Sequence, residues 1–174
     1  PAEIAPRVIT TPKSNAYLRI SEGCDNNCTY CVIPQMQGPY RSRSMESIVD
    51  EAKELVAQGI SELILVAQDT TYYGYDLAGK FLLADLLTEL NKIAELKWIR
   101  ILYAYPNNFD EHLIKTIASL DKVCKYLDIP LQHSSDKILK KMNRRITSAE
   151  IENLITKLRQ AMPDITLRST FICG

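Results

Sequence analysis

The chain has 174 residues, 46% of them hydrophobic, with 21 basic and 21 acidic side chains and a formal net charge of zero. That is apolar material for one sizeable core, which excludes a disordered or fibrous segment, and the balanced charge gives no overall basic field to hold a nucleic acid. No run approaches the roughly 18 apolar residues of a membrane span, and Pro1 onward shows no basic-then-apolar signal segment, so a cytoplasmic location without membrane contact is expected.

In chain order, YLRIS (17–21) is predicted as a strand that feeds a cysteine-containing loop. SMESIVDEAKELVAQG (44–59) has the helical period, with Ser44 as N-cap, Ile48, Ala52, Leu55 and Val56 as the apolar stripe, and Gly59 as the end. ELILVAQ (62–68) reads as a continuous apolar strand, followed by the polar loop DTTYYGYDLAGK (69–80) and a helix over about 81–95. WIRILYAY (98–105) is the third predicted strand, a helix near 111–119 follows Pro106, and YLDIPLQ (126–132) is the fourth strand. Helical SDKILKKMN (135–143) and SAEIENLITKLRQAM (148–162) precede a fifth strand, TLRSTFI (166–172). This β-α-β-α order predicts an α/β fold with a parallel sheet and right-handed crossovers, and no repeat or linker divides it.

An open sheet and a partial barrel both satisfy that order. Four of the five strands carry a mid-strand charge, Arg19, Arg100, Asp128 and Arg168, whereas strands covered on both faces are near-continuous apolar runs. Because a buried unpaired charge is costly, these groups are expected to meet in a polar interior, which favours a curved, partial TIM-like (β/α) barrel. The plainer alternative is that the arginines lie near strand ends and snorkel to water.

The loop after the first strand holds Cys24-x-x-x-Cys28-x-x-Cys31, at the strand end where parallel α/β folds bind ligands. In a reducing compartment an odd number of cysteines, three of them clustered, points to metal or redox chemistry before disulfides. Soft thiolates select zinc or iron–sulfur. A structural zinc site wants four closed ligands, and no second cysteine pair exists: Cys124 and Cys173 stand alone and are expected to be small core residues. A four-iron cluster can be held by three thiolates with one iron open. From spacing alone, the cluster and the zinc site both stand.

With Tyr30 before the third cysteine, this loop resembles the signature of the radical S-adenosylmethionine (SAM) superfamily. RSRS (41–44), LVAQDTTYYGYDL (65–77), YLDIPLQHSSDKILKKMNR (126–144) and LRSTFICG (167–174) further resemble its methylthiotransferase branch. AQDTTYYG (67–74) is similar to the members that modify an aspartate of a small-subunit ribosomal protein; tRNA-modifying members more often carry a Gly-Gln-Asn form there. The resemblance implies a radical SAM fold truncated after about the fifth strand, with 1–174 as the core domain of a longer enzyme whose N-terminal cluster domain and C-terminal β-domain are absent. It implies a 4Fe-4S cluster held by Cys24, Cys28 and Cys31 and SAM bound at the open iron. SAM is then cleaved to a 5′-deoxyadenosyl radical for methylthiolation of the ribosomal protein, with a flavodoxin- or ferredoxin-like protein as reductant.

Site roles carried by the resemblance place Tyr30 beside the adenine, Gln68 and Asp69 at the SAM amino group, and Gln132, His133 and Ser134 at the ribose or carboxylate. A lone histidine after a strand is more often a hydrogen-bonded structural residue. Arg168 either orients SAM together with Asp128 or only pairs with it. LKKMNRR (139–145) reads as a solvated helix end or as a grip on an acidic partner, with Arg144 at a basic position of the family. The tyrosines of TYYGY (71–75) either cover the site or merely pack. Gln37 departs from the family, which often carries a basic residue there, and Cys124 with Cys173 cannot hold the second cluster that the full reaction uses. The alternatives are a tRNA adenosine methylthiotransferase, for which RNA contact is required but not favoured here, and a non-catalytic zinc-binding domain.

Overall fold

The structure, a computed structural model, describes residue 12 and residues 14–173. The expected lack of a signal segment from Pro1 onward, and the glycine that closes FICG, lie outside these residues. In chain order the elements are β1 (Asn15–Arg19), β2 (Ser21–Glu22), α1 (Ile33–Gln37), β3 (Arg41–Ser42), α2 (Met45–Ala57), β4 (Glu62–Val66), α3 (Tyr75–Ala78), α4 (Leu83–Asn91) and β5 (Trp98–Ile101). Then come α5 (Glu111–Ser119), β6 (Val123–Asp128), α6 (Asp136–Lys141), α7 (Ser148–Ala161) and β7 (Thr166–Arg168). Among the described residues no helix is long and apolar enough to cross a membrane.

The main sheet has the order β1-β4-β5-β6-β7 with every pair parallel. Each strand is added beside its predecessor, without the order reversal of a doubly wound sheet, so the crossovers continue in one sense, as in a barrel left incomplete. Burial alternates along β1, β4 and β5, which means that one face alone is covered. Ala16, Leu18, Leu63, Leu65, Ile99, Ile101, Val123 and Leu127 bury that face in one core with the apolar stripes of α2, α4, α5 and α7. At about 1.5–3 kcal/mol for each large side chain fully removed from water, this interface is the main source of cohesion. Ser44 caps α2 as expected, accepting a hydrogen bond from the Ser47 N–H at 3.3 Å.

The other face is open, with Tyr17 49% and Trp98 53% exposed. Three of the mid-strand charges pair on it instead of converging. Arg100 meets Glu62 at 2.6 Å and lies over the Tyr126 ring at 5.1 Å, and buried Asp128 meets exposed Arg168 at 3.2 Å. Arg19 pairs with Glu22 in the short segment that follows β1. The polar face is therefore real, but it is made of separate pairs. The expectation of two core cysteines fails for the same geometric reason: strand alternation sends Val123 and Leu127 to the helices and leaves Cys124 half-buried on the opposite face, while Cys173 lies exposed beyond β7.

Two stretches read as loop contain structure. Residues 21–42 form the antiparallel ribbon β2–β3 around α1, and the polar loop after β4 holds a 3₁₀ turn over Thr70–Tyr72 and then α3. Tyr73 is fully buried and donates to the Arg43 carbonyl at 3.0 Å, while Tyr72 packs among Tyr40, Tyr75 and Phe81. These tyrosines pack.

Candidate functional site

The cysteine loop leaves β1 and returns through the β2–β3 ribbon, where the Cys24 N–H donates to the Gly38 carbonyl at 3.3 Å and the Tyr40 N–H to Asp25 at 2.9 Å. Gly23 makes the turn possible. Its φ is +76°, and a Cβ there would fall 2.1 Å from the Pro39 carbonyl oxygen, a position that only glycine fills. The far side of the loop is held by the turn after α6. Thr29 donates from its N–H to the Met142 carbonyl at 3.1 Å and from its hydroxyl to the Lys141 carbonyl at 3.0 Å, and the Asn143 amide donates to the Asn27 carbonyl at 2.7 Å.

So held, the loop turns Cys24, Cys28 and Cys31 into one cavity of about 500 Å³, within the roughly 300–1,000 Å³ common for small-molecule and cofactor sites. Its walls come from the C-terminal ends of the strands: Ala67 and Gln68 after β4, Tyr103 and Tyr105 after β5, Pro130 and Gln132 after β6, and Thr170 after β7. A second recess of about 160 Å³ between α7 and residues 106–109 shares no residue with it and holds no thiol. Tyr103 and Gln132 have φ of +55° and +73°, conformations uncommon outside glycine that concentrate at functional sites. Tyr103 is held there by the Thr70 N–H on its carbonyl at 3.0 Å and by its own N–H on Asp128 at 3.4 Å.

Of the residues expected at the SAM site, Tyr30, Gln68 and Gln132 line the cavity with the three cysteines, and Asp69, His133, Ser134 and Arg168 are not among its lining residues. His133 accepts the Ser135 N–H on Nδ1 at 2.9 Å, at the start of α6, which is a structural use. Asp69 is buried behind the wall, accepting from the Asn26 amide at 2.9 Å, the Thr71 N–H at 3.0 Å and the Thr71 hydroxyl at 2.6 Å. Burial pushes its carboxyl up, and the bonds from Thr71 and Asn26 pull the other way.

Arg144 is the wall residue with the least ordinary surroundings. It is 5% exposed, and its guanidinium donates to the Pro130 carbonyl at 2.5 Å and the Tyr30 hydroxyl at 3.3 Å. It also lies 4.3 Å over the Tyr105 ring. No carboxylate pairs with it and its Nε has no hydrogen-bond partner among the described residues. Partial burial pushes the Tyr30 hydroxyl up to about 12 against the pull of Arg144. Sequence reasoning missed Asn26, Tyr103, Tyr105 and Thr170. Asn26 lay inside the cysteine loop and was legible; the aromatics depend on a backbone turn that no glycine announces.

The donor set is three soft thiols facing one cavity, a set that fits an iron–sulfur cluster or zinc, and the cavity of about 500 Å³ leaves room for a ligand beside it. Burial pushes the Cys24 thiol up, with the Asn26 N–H lowering it; metal ligation removes that proton outright.

Comparison with known proteins gives three findings. The model of the Radical SAM superfamily matches residues 18–174. The chain is 53% identical over 168 residues to a ribosomal protein uS12 methylthiotransferase RimO of Alkaliphilus oremlandii, and 56% identical over 168 residues to one of Acetivibrio thermocellus. These matches take in 97% of the chain but only 38% and 37% of those proteins; the chain spans less than two fifths of their length. Among solved structures, the cobalamin-dependent SAM radical enzyme OxsB, with aqua-cobalamin and SAM bound, superposes with a TM-score of 0.72 at 16% identity over 92% of the chain and 24% of OxsB. The radical SAM methyltransferase TsrM of Kitasatospora setae gives 0.66 at 20% identity over 91% of the chain and 30% of its own. At such identities these two speak to the fold alone.

Proposed function

The chain belongs to the radical SAM superfamily, and on that premise we propose that it is the SAM-cleaving core of a methylthiotransferase acting on ribosomal protein uS12. The observation that carries the reading is the meeting of three thiols from one eight-residue loop with strand-end polar groups around a single cavity. Cys24, Cys28 and Cys31 hold a 4Fe-4S cluster, and SAM occupies the remaining space. When bound, the cluster with its open iron supplies the electron that cleaves SAM to methionine and a 5′-deoxyadenosyl radical able to take hydrogen from carbon.

The protein's share is ligation, orientation and exclusion of water. Tyr30 and Tyr105 offer ring faces at the wall, Gln68 and Gln132 offer amide donors and acceptors, and Arg144 offers the buried cation for a carboxylate. His133, Ser134 and Arg168 act from outside the cavity, Arg168 through its ion pair with Asp128. The names of the relatives support uS12 as substrate. A flavodoxin- or ferredoxin-like electron donor and action in the cytoplasm complete the reading, with 1–174 as a radical SAM core domain.

The test is anaerobic reconstitution followed by mass spectrometry with SAM, a reductant and a uS12 peptide. Deoxyadenosine is expected, and methylthio-aspartate is not, because Cys124 faces the open sheet surface and exposed Cys173 lies apart from it, so no second cluster forms from this sequence. A fully loaded, reduced protein that yields no deoxyadenosine overturns the SAM-cleaving reading. Methylthiolated peptide overturns the account of the second cluster.

A further inference from the structure

Asp69 sits behind the cavity wall at 1% exposure, and the reason for a carboxylate there is visible in what it holds. Its Oδ2 accepts from the Asn26 side-chain amide at 2.9 Å, and the backbone N–H of that same Asn26 points at the Cys24 sulfur, 3.4 Å away. Its Oδ1 is fixed by the Thr71 N–H and hydroxyl, Thr71 accepts from Asn108 at 3.2 Å, and the Asp69 carbonyl accepts from the Tyr40 hydroxyl at 2.8 Å. The carboxylate is thus anchored on the β4 side and reaches across 43 residues of sequence to a side chain within the segment between Cys24 and Cys28.

We propose that Asp69 is a positioning residue for the iron–sulfur cluster, acting through Asn26 to aim a backbone N–H at the Cys24 thiolate, and not a ligand of SAM. Hydrogen bonds to cluster sulfurs set reduction potential, and outer-shell partners that orient ligands govern retention of the metal. The inference rests on the cluster reading of the three cysteines.

Exchanging donor and acceptor tests it. Asp69→Leu alone keeps roughly the shape and removes the acceptor for Asn26 and Thr71; Asn26→Asp alone sets two carboxylates face to face. The double variant Asp69→Asn with Asn26→Asp restores one donor and one acceptor. In the reconstituted protein each single variant is expected to release iron to a chelator roughly 10- to 100-fold faster than wild type and to shift the midpoint potential. The double variant returns both towards wild type, within about threefold in rate, and SAM affinity of the loaded fraction stays within about threefold throughout. The proposal is overturned if the singles release iron at the wild-type rate, or if a double variant with native circular dichroism leaks like the singles. It is also overturned if SAM affinity falls tenfold or more in the singles while iron release is unmoved, the signature of a SAM ligand. A wild-type protein that takes up no iron at all overturns the cluster reading, and this inference with it.

Discussion

Alanine at any one of Cys24, Cys28 or Cys31 is expected to abolish the iron–sulfur cluster, whereas Cys124→Ala leaves about four irons per chain, the content of a single cubane. The reasoning is geometric. All three thiols line one cavity, the backbone that carries them is bound by the ribbon at Gly38 and by the turn at Met142, and no other Cys, His, Asp or Glu is among the described residues lining that cavity to replace a lost thiolate. Cys124 faces the open sheet surface near Arg100 and contributes nothing to that cavity. Iron and sulfide analysis with the visible absorption of each reconstituted variant decides the matter. A Cys28→Ala protein with full iron content, or a wild type that takes stoichiometric zinc and refuses iron, would sink the assignment.

The second large effect is expected at Arg144. A buried cation without a carboxylate is an incomplete arrangement: its contacts with the Pro130 carbonyl, Tyr30 hydroxyl and Tyr105 ring are all neutral, and desolvating a charge is repaid only when an opposite charge arrives. Arg144→Ala is expected to weaken SAM binding to the cluster-loaded protein by about 1.5–3 kcal/mol, the worth of a charged hydrogen bond, or roughly 10- to 100-fold in Kd. Arg144→Lys keeps the charge but loses the planar fork and the stacking on Tyr105, so it is expected to fall in between. Equilibrium dialysis with labelled SAM reads the effect, and iron content measured alongside separates lost binding from a lost cluster. Wild-type affinity in a fully loaded Arg144→Ala protein would remove the residue from the SAM site.

The parts of the molecule that could be read in advance are those in which one residue type has one use. The α2 stripe of Ile48, Ala52, Leu55 and Val56 lies in the core as its period requires, and the cysteine spacing does bring three thiols together. Local chemistry of this kind is written in short windows. What escaped depends on groups far apart in sequence. The ribbon β2–β3 pairs two residues with two others, too few to leave an alternating pattern. The family resemblance places Asp69 at the SAM amino group, yet its carboxylate turns inward to Asn26 and Thr71, a choice made by partners and not by propensity. The run that contains Arg144 reads as a solvated helix end or as a grip on an acidic partner, and Lys140, Lys141 and Arg145 are exposed; the left-handed turn at Asn143, φ +53°, precedes the buried Arg144.

The four bonds between residues 27–30 and residues 141–144 join side chains and backbone 112 to 116 positions apart. During synthesis the thiols emerge long before the turn that shapes their loop, by roughly 6–20 s at 5–20 residues per second. Through that interval the loop has its ribbon but lacks the clamp from the turn after α6, and its thiols are expected to lie open to oxygen and to stray zinc. Metal insertion is therefore expected to follow synthesis and folding, and a ribosome-bound nascent chain arrested before α6 should hold iron poorly compared with the finished protein. Equal retention by the two would mean that the eight-residue loop finds its shape unaided and that the distant clamp only tightens it.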